Sequence, residues 1–169
     1  MTKLLFSFTA LCFGACAAFA QSSHPLADVL AKHWETSKEF TLAVIDKMPD
    51  SQFSFKAAAP EMTFGEMASH IGDANMSYCS RAAGAKAPAK GADFSKSAVV
   101  KHVTDSFDFC IAGVKKIDEA ALMKTIGEGR RQSTPFESYW GAFTHTAHHR
   151  AQLEVYLRLK DIQPPDYKF

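Results

Sequence analysis

The sequence predicts an all-α protein, a four-helix bundle. Three observations carry that reading. Four stretches repeat apolar residues at three- and four-residue steps, the spacing that lines one face of a helix. Two of them open on a Thr-x-x-Glu capping box. Strand signals are scarce along the chain, and no internal repeat or low-complexity segment stands out.

The first helix is expected from Pro25 to Lys47, with Leu26, Val29, Leu30, Phe40, Val44 and Met48 on its apolar positions and Pro49-Asp50 as its stop. The linker from Asp50 to Met62 carries Phe53, Phe55 and Pro60 and is expected to pack against the bundle. The second helix opens at Thr63-Phe64-Gly65-Glu66, with Met62 and Met67 at the positions of a hydrophobic staple, and runs to about Ala83. A loop rich in Ala, Lys, Pro and Gly follows from Gly84. The third helix runs from near Ser95 to about Ile117, with Val99, Val103, Phe107, Cys110, Ile111 and Val114 on one side. The fourth starts at Thr134-Pro135-Phe136-Glu137, where proline at the first helical position loses no hydrogen bond, and runs to about Lys160 before Pro164-Pro165.

The first twenty residues stand apart. Lys3, an apolar run to about Ala18 and the small-large-small Ala18-Phe19-Ala20 form the layout of a secretory signal peptide, residues 1–20, cleaved after Ala20. The run is shorter than the ~20 residues of a membrane span. Cys16 lacks the leucine three residues earlier that a lipoprotein signal uses. The expected mature chain, 21–169, is one domain's worth of residues and is periplasmic or secreted. Removing Lys3 from the 19 basic residues leaves 18 against 18 acidic ones, with no Lys/Arg run. That balance argues against nucleic acid or an anionic membrane as partner. Cys12 and Cys16 leave with the signal; Cys79 and Cys110 enter a compartment that permits a disulfide.

Chemistry concentrates in the fourth helix. His145, His148 and His149 fall within five positions. At about 100° per residue, His145 and His149 share a face with Ser138, Gly141, Ala142, Gln152 and Tyr156, and Arg150, Glu154 and Arg158 fall opposite. The pair is therefore expected to point into the bundle, with Arg150 on the solvated side. His148 is rotated away, to the rim or to solvent. Phe136, Trp140 and Phe143 also lie opposite the histidines, so the Phe53/Phe55 linker or a second subunit is expected to cover them. Two histidines four apart can serve one metal, as in the zinc-binding HExxH helix, although Thr146 here replaces the glutamate. His70, on the stripe Met67, His70, Ile71, Ala74, Tyr78, offers a third ligand. His33, with Leu26, Leu30 and Phe40, is a weaker candidate. The spacing leaves two readings open: a divalent-metal site, or core histidines satisfied by hydrogen bonds.

His70 within FGEMASHIGDAN, followed downstream by HTAHHRAQLEVYLRLKDIQPP, resembles the DinB (damage-inducible) family, whose members are regarded as metalloenzymes. The resemblance covers nearly the whole mature chain, including MPDSQFSFKAAAPEMTFGEMASH; Ala151 stands where many members have glycine. It implies a four-helix bundle of up-down-down-up course, with the metal held by His70, His145 and His149. In that course the second and third helices run parallel, which puts Cys79 and Cys110 at one level and implies a Cys79–Cys110 disulfide, with two buried free thiols as the alternative.

Three neutral imidazoles leave a divalent metal open positions, the pattern of a catalytic site. The expected cofactor is zinc, with nickel, iron or manganese compatible. Positions expected beside the site are His33, Asp73, His148, Gln152 and Tyr156. The functional expectation is a metal-dependent enzyme, a hydrolase first, acting on a small molecule. The alternatives are a non-catalytic metal- or ligand-binding bundle and, from some members of the wider family, a thiol transferase. Phe136, Trp140 and Phe143 favour a homodimer.

Overall fold

The computed structural model describes residues 24–169, so the expected signal peptide, with Cys12 and Cys16, lies outside the described residues. The described chain forms helices α1 (Pro25–Lys47), α2 (Phe64–Ala82), α3 (Lys96–Lys116), a one-turn α4 (Glu119–Leu122) and α5 (Pro135–Arg158). Short 3-10 turns occupy Asp50–Gln52 and Gly129–Arg131. The segment between α3 and α5 holds an element that the periodicity does not announce. Asp118 caps α4 through the Ala121 N–H at 2.8 Å. Leu122 is fully buried, and Ile126 and Ser133 pair as an isolated bridge.

Both capping boxes form. Thr63 Oγ1 accepts from the Glu66 N–H at 3.1 Å while Glu66 accepts from the Thr63 N–H at 2.7 Å. Thr134 and Glu137 repeat the exchange at 3.0 and 2.7 Å. Each cap is worth ~1 kcal/mol and sets the start of its helix. α5 stops two residues short of Lys160. Asp161 turns into the left-handed region at φ 57°, and the Ile162 N–H reaches back to the Leu157 carbonyl at 2.9 Å.

Contacts between helices fix their directions. Asn75 meets Ser106 and Cys79 bonds to Cys110 with the same separation of 31 residues, so α2 and α3 run parallel. Lys38 pairs with Asp108 and Lys115 with Glu35, so α1 and α3 are antiparallel. Thr146 bonds to Asn75 and His149 faces His70, so α5 is antiparallel to α2. Trp34 packs on Phe143, and Ser37 and Thr41 meet Arg150, so α1 and α5 are parallel. The Cys79–Cys110 disulfide, with Cα atoms 5.4 Å apart, joins the parallel pair α2 and α3.

Parallel neighbours require the chain to travel back along the bundle between them. The stretch after α2 does so, and it docks on α2 twice. The Gly91 N–H donates to Asp73 Oδ1 at 2.9 Å. A Cβ on Gly65 would lie 2.7 Å from the Phe94 carbonyl oxygen, so only glycine admits this close approach.

Trp34, Phe40, Phe64, Phe107, Leu153 and Leu157 are among the largest side chains of a continuous core. The aromatic linker packs as expected, at one end of it: Phe53 against Phe64 at 5.3 Å and Phe55 against Tyr156 at 5.9 Å between ring centroids. It does not cover Phe136, Trp140 and Phe143. Those residues stack on one another, and α1 and the carboxy-terminal Phe169 flank them.

Candidate metal centre

The faces of α5 differ from those the sequence suggested. Its buried stripe is Tyr139, Ala142, Thr146, Arg150, Leu153 and Leu157. Its exposed stripe is Trp140, Thr144, His148, Ala151 and Val155. His145, His149 and Gln152 lie on the flank between, half-buried and turned toward α2. The histidines are therefore at the edge of the core rather than inside it. The deep position belongs to a polar chain: Thr146 Oγ1 donates to Asn75 Oδ1 at 3.0 Å, Asn75 Nδ2 to Ser106 Oγ at 3.4 Å, and Ser106 Oγ to the Val103 carbonyl at 2.7 Å.

α5 supplies His145 and His149 one turn apart, and α2 supplies His70 across the helix interface. Ring centroids are 4.3 Å apart for His145–His149, 5.0 Å for His70–His145 and 4.8 Å for His70–His149. One nitrogen from each ring can be chosen so that all three lie within 4.8 Å of one another. The Nε2 atoms of His145 and His149 are 3.2 Å apart. Two imidazoles on one tetrahedral ion at ~2.0–2.1 Å would hold their nitrogens ~3.3 Å apart.

Protonation favours the same use. Burial and the neighbouring imidazoles His149, His70 and His148 push His145 down to about 4. Burial, helped by His70 and His148, also lowers His149, against a raising hydrogen bond from Gln152. Both rings are neutral at pH 7, and a neutral ring keeps one lone pair. The contact of His149 Nδ1 with Gln152 Oε1, at 2.6 Å, decides which nitrogen has it. An amide oxygen only accepts, so Nδ1 carries the proton and Nε2 faces the cluster unprotonated. His145 Nδ1 is buried and meets no hydrogen-bond partner among the described residues. The orienting support is complete for one histidine of the pair and missing for the other.

The remaining expected positions divide. Gln152 lies beside the centre, three residues beyond His149 on α5. His148 is exposed, 4.9 Å ring to ring from His149. Asp73 does orient an imidazole, but it is that of His102 on α3, at 2.9 Å, and not that of His70. Tyr156 is not at the site. Its hydroxyl donates to the Met62 carbonyl at 2.7 Å and its ring packs on Phe55 and Phe64, so it ties α5 to the linker. His33 is not at the site either; its ring lies 4.7 Å from that of Phe169, on the α1 side of α5. Arg150, expected in solvent, is only 7% exposed. Its guanidinium lies 4.4 Å over the Phe40 ring and donates to Ser37 and Thr41.

A cavity of about 220 Å³ opens beside the cluster, lined by His70, Asp73, Ala74, Ser77, Tyr78, Lys90 and His145. Residue spacing places Tyr78 there but not Lys90. Tyr78 shares the His70 stripe and was legible; Lys90 arrives on the returning loop and was not. Tyr78 leans over α5 where Gly141 leaves room, since a Cβ there would be 3.1 Å from its ring.

These features define a helical bundle with a three-histidine cluster joining its second and last long helices. The chain belongs to the DinB superfamily, whose family model matches residues 33–153. Solved structures agree on the fold. A DinB-like protein from Bacillus cereus ATCC 10987 superposes with a TM-score of 0.72 at 17% identity, covering 83% of this chain and 97% of that one. A DinB-like protein from Bacillus subtilis gives 0.68 at 17% identity, covering 82% and 96%. No curated protein matches the chain by sequence.

Proposed function

We propose that the protein is an exported metal-dependent enzyme, a hydrolase, with a divalent transition metal held by His70, His145 and His149. The observation that carries the reading is the cluster itself: three imidazoles from two helices, with His149 Nε2 unprotonated and 3.2 Å from His145 Nε2. An all-imidazole set suits zinc first, with nickel, iron and manganese as candidates. A bound divalent cation would supply a Lewis acid that polarises a carbonyl or phosphoryl oxygen and acidifies water.

The chain's own residues do the rest. Gln152 holds the His149 ring and its tautomer. Lys90 offers a positive charge on the cavity wall for an anionic part of the substrate, and the Tyr78 ring forms another part of that wall. Asp73 is committed to His102 and Gly91, so it braces the returning loop that carries Lys90. His148 is solvent-exposed beside His149, outside the walls of the cavity. Export is supported by the signal-like amino terminus and by the disulfide, whose cysteines are 1% and 0% exposed. Among the described residues no helix is long and apolar enough to cross a membrane. An oxidised cysteine pair also favours hydrolysis over thiol transfer, which needs a reduced thiol pool.

Metal analysis of the mature protein from its native compartment tests the proposal, beside a His145→Ala/His149→Ala variant. About one equivalent of one transition metal, lost in the variant, is expected, with hydrolysis of ester, amide or phosphoester probes that depends on it. A protein that takes up no metal even when offered zinc or nickel would end the reading.

A further inference from the structure

On the side of α5 away from the histidine cluster, α1 and α5 part to leave an apolar groove of about 220 Å³ between Leu30, Phe136, Trp140 and Phe143. A second cavity, of about 70 Å³, continues from it toward Arg150. The two share His33, Phe143 and Phe169 as walls. Phe169, 82% exposed, stands between the two cavities together with His33 of α1 and Phe143 of α5.

The inner end carries a charge without a paired counter-charge among the described residues. Arg150 is only 7% exposed, and its partners there are two hydroxyls and the Phe40 ring. Glu154, the carboxylate whose charge it feels, pairs with Arg158 at 3.6 Å. Lys168 stands at the same cavity and is tied at 3.3 Å to Glu39 at the rim. A guanidinium has five donors in a planar fork suited to a carboxylate, and Nη1 alone is engaged, by Ser37 and Thr41. Burying such a group is costly unless an anion joins it.

We propose that this groove binds a small organic acid with an apolar body, its carboxylate set against Arg150 and its body between Trp140, Phe143 and Leu30. Apolar walls with a few convergent polar groups are the usual form of a small-molecule site. The site is separate from the histidine cluster and does not depend on a metal there.

The test uses the mature chain, with decanoate, decanol and acetate as probes, followed by calorimetry and by the fluorescence of Trp140. Saturable decanoate binding is expected, with decanol at least tenfold weaker and acetate not saturating over the same range. Equal binding of decanol would remove Arg150 from recognition and overturn the proposal, and so would no saturable decanoate binding. Arg150→Met is expected to weaken decanoate at least tenfold and leave decanol unchanged. Should that variant not fold, the comparison of acid and alcohol on the wild type still decides, as does Trp140→Ala, an exposed position expected to weaken both probes. Binding must survive His145→Ala/His149→Ala; its loss there would move the acid to the histidine centre and overturn the groove site. A stable dimer that shields Trp140 and excludes decanoate would make the groove a contact between copies and would overturn the proposal as well.

Discussion

Breaking the bond between Cys79 and Cys110 should cost the protein several kcal/mol, and the amount can be worked out. The cross-link closes a loop with a separation of 31 residues. In the chain-entropy treatment, a loop of that length removes ~12 cal/mol/K from the unfolded ensemble, or ~3.7 kcal/mol at 25 °C. Set against a typical total of ~5–15 kcal/mol, that is a large share. At ~2–4 °C per kcal/mol for a chain of this size, the midpoint should fall by roughly 7–15 °C. Both sulfurs are buried, so reduction needs the chain unfolded in urea, followed by refolding with the reductant retained. The assay is urea unfolding of oxidised and reduced wild type. The reduced form keeps both sulfur atoms, so packing changes little and the difference isolates the constraint. A Cys79→Ala/Cys110→Ala variant should lose at least as much, because it also empties core volume. A loss under ~1 kcal/mol in a two-state transition would refute the loop-entropy argument. Two reactive thiols in the unfolded, unreduced protein would refute the bond itself.

Four further outcomes are expected. Gln152→Leu frees the His149 ring and should weaken metal binding by ~10–100-fold, read by competition with a chelating dye, while His148→Ala should leave it within a few-fold. The metal-free protein should lose stability as pH falls from ~6.5 towards about 4, because His145 is depressed to about 4 and the unfolded chain takes up protons first. A midpoint that is flat or rises on acidification through that window in the wild type, relative to His145→Ala, would contradict this. Thr146→Val leaves Asn75 Oδ1 buried without its donor and should cost ~1–3 kcal/mol by urea unfolding, with the three-histidine geometry intact. Gly72→Ala sets a Cβ 2.6 Å from the His102 ring and should dislodge it from Asp73. That overpacking should cost ~1–3 kcal/mol, visible as a lowered midpoint and altered His102 resonances.

Local rules carried much of the fold. The starts of α2 and α5 were readable because a capping box is a short-range exchange between residues three apart. The pairing of His145 with His149 was readable because helix geometry alone puts them on one flank, and His70 stood out as the one histidine of α2. What periodicity could not supply was the identity of the neighbour on each face. Arg150 looked like a solvent marker because arginine usually is one; Ser37, Thr41 and Phe40, a hundred residues earlier, turn its position into an interior one. Asp73 was readable as an orienting carboxylate, but not its partner, since His102 approaches only when α3 runs parallel to α2. Tyr156 shares a face with the histidines yet reaches the linker, because one stripe on a long helix meets different elements at its two ends.

The sequence by itself determined the four long helices, the capping boxes of two of them, the metal-ligating type of residue and the two cysteines, all of which depend on side chains a few positions apart or on composition. Tertiary structure decided which of those residues meet: that the histidines sit at the margin of the core beside an open cavity, that Lys90 joins them from the loop, and that Arg150 lies buried at the end of an apolar groove. Those outcomes turn on contacts between segments remote in the chain, where the free energy of burial and of pairing depends on the packed neighbour and no local pattern encodes it.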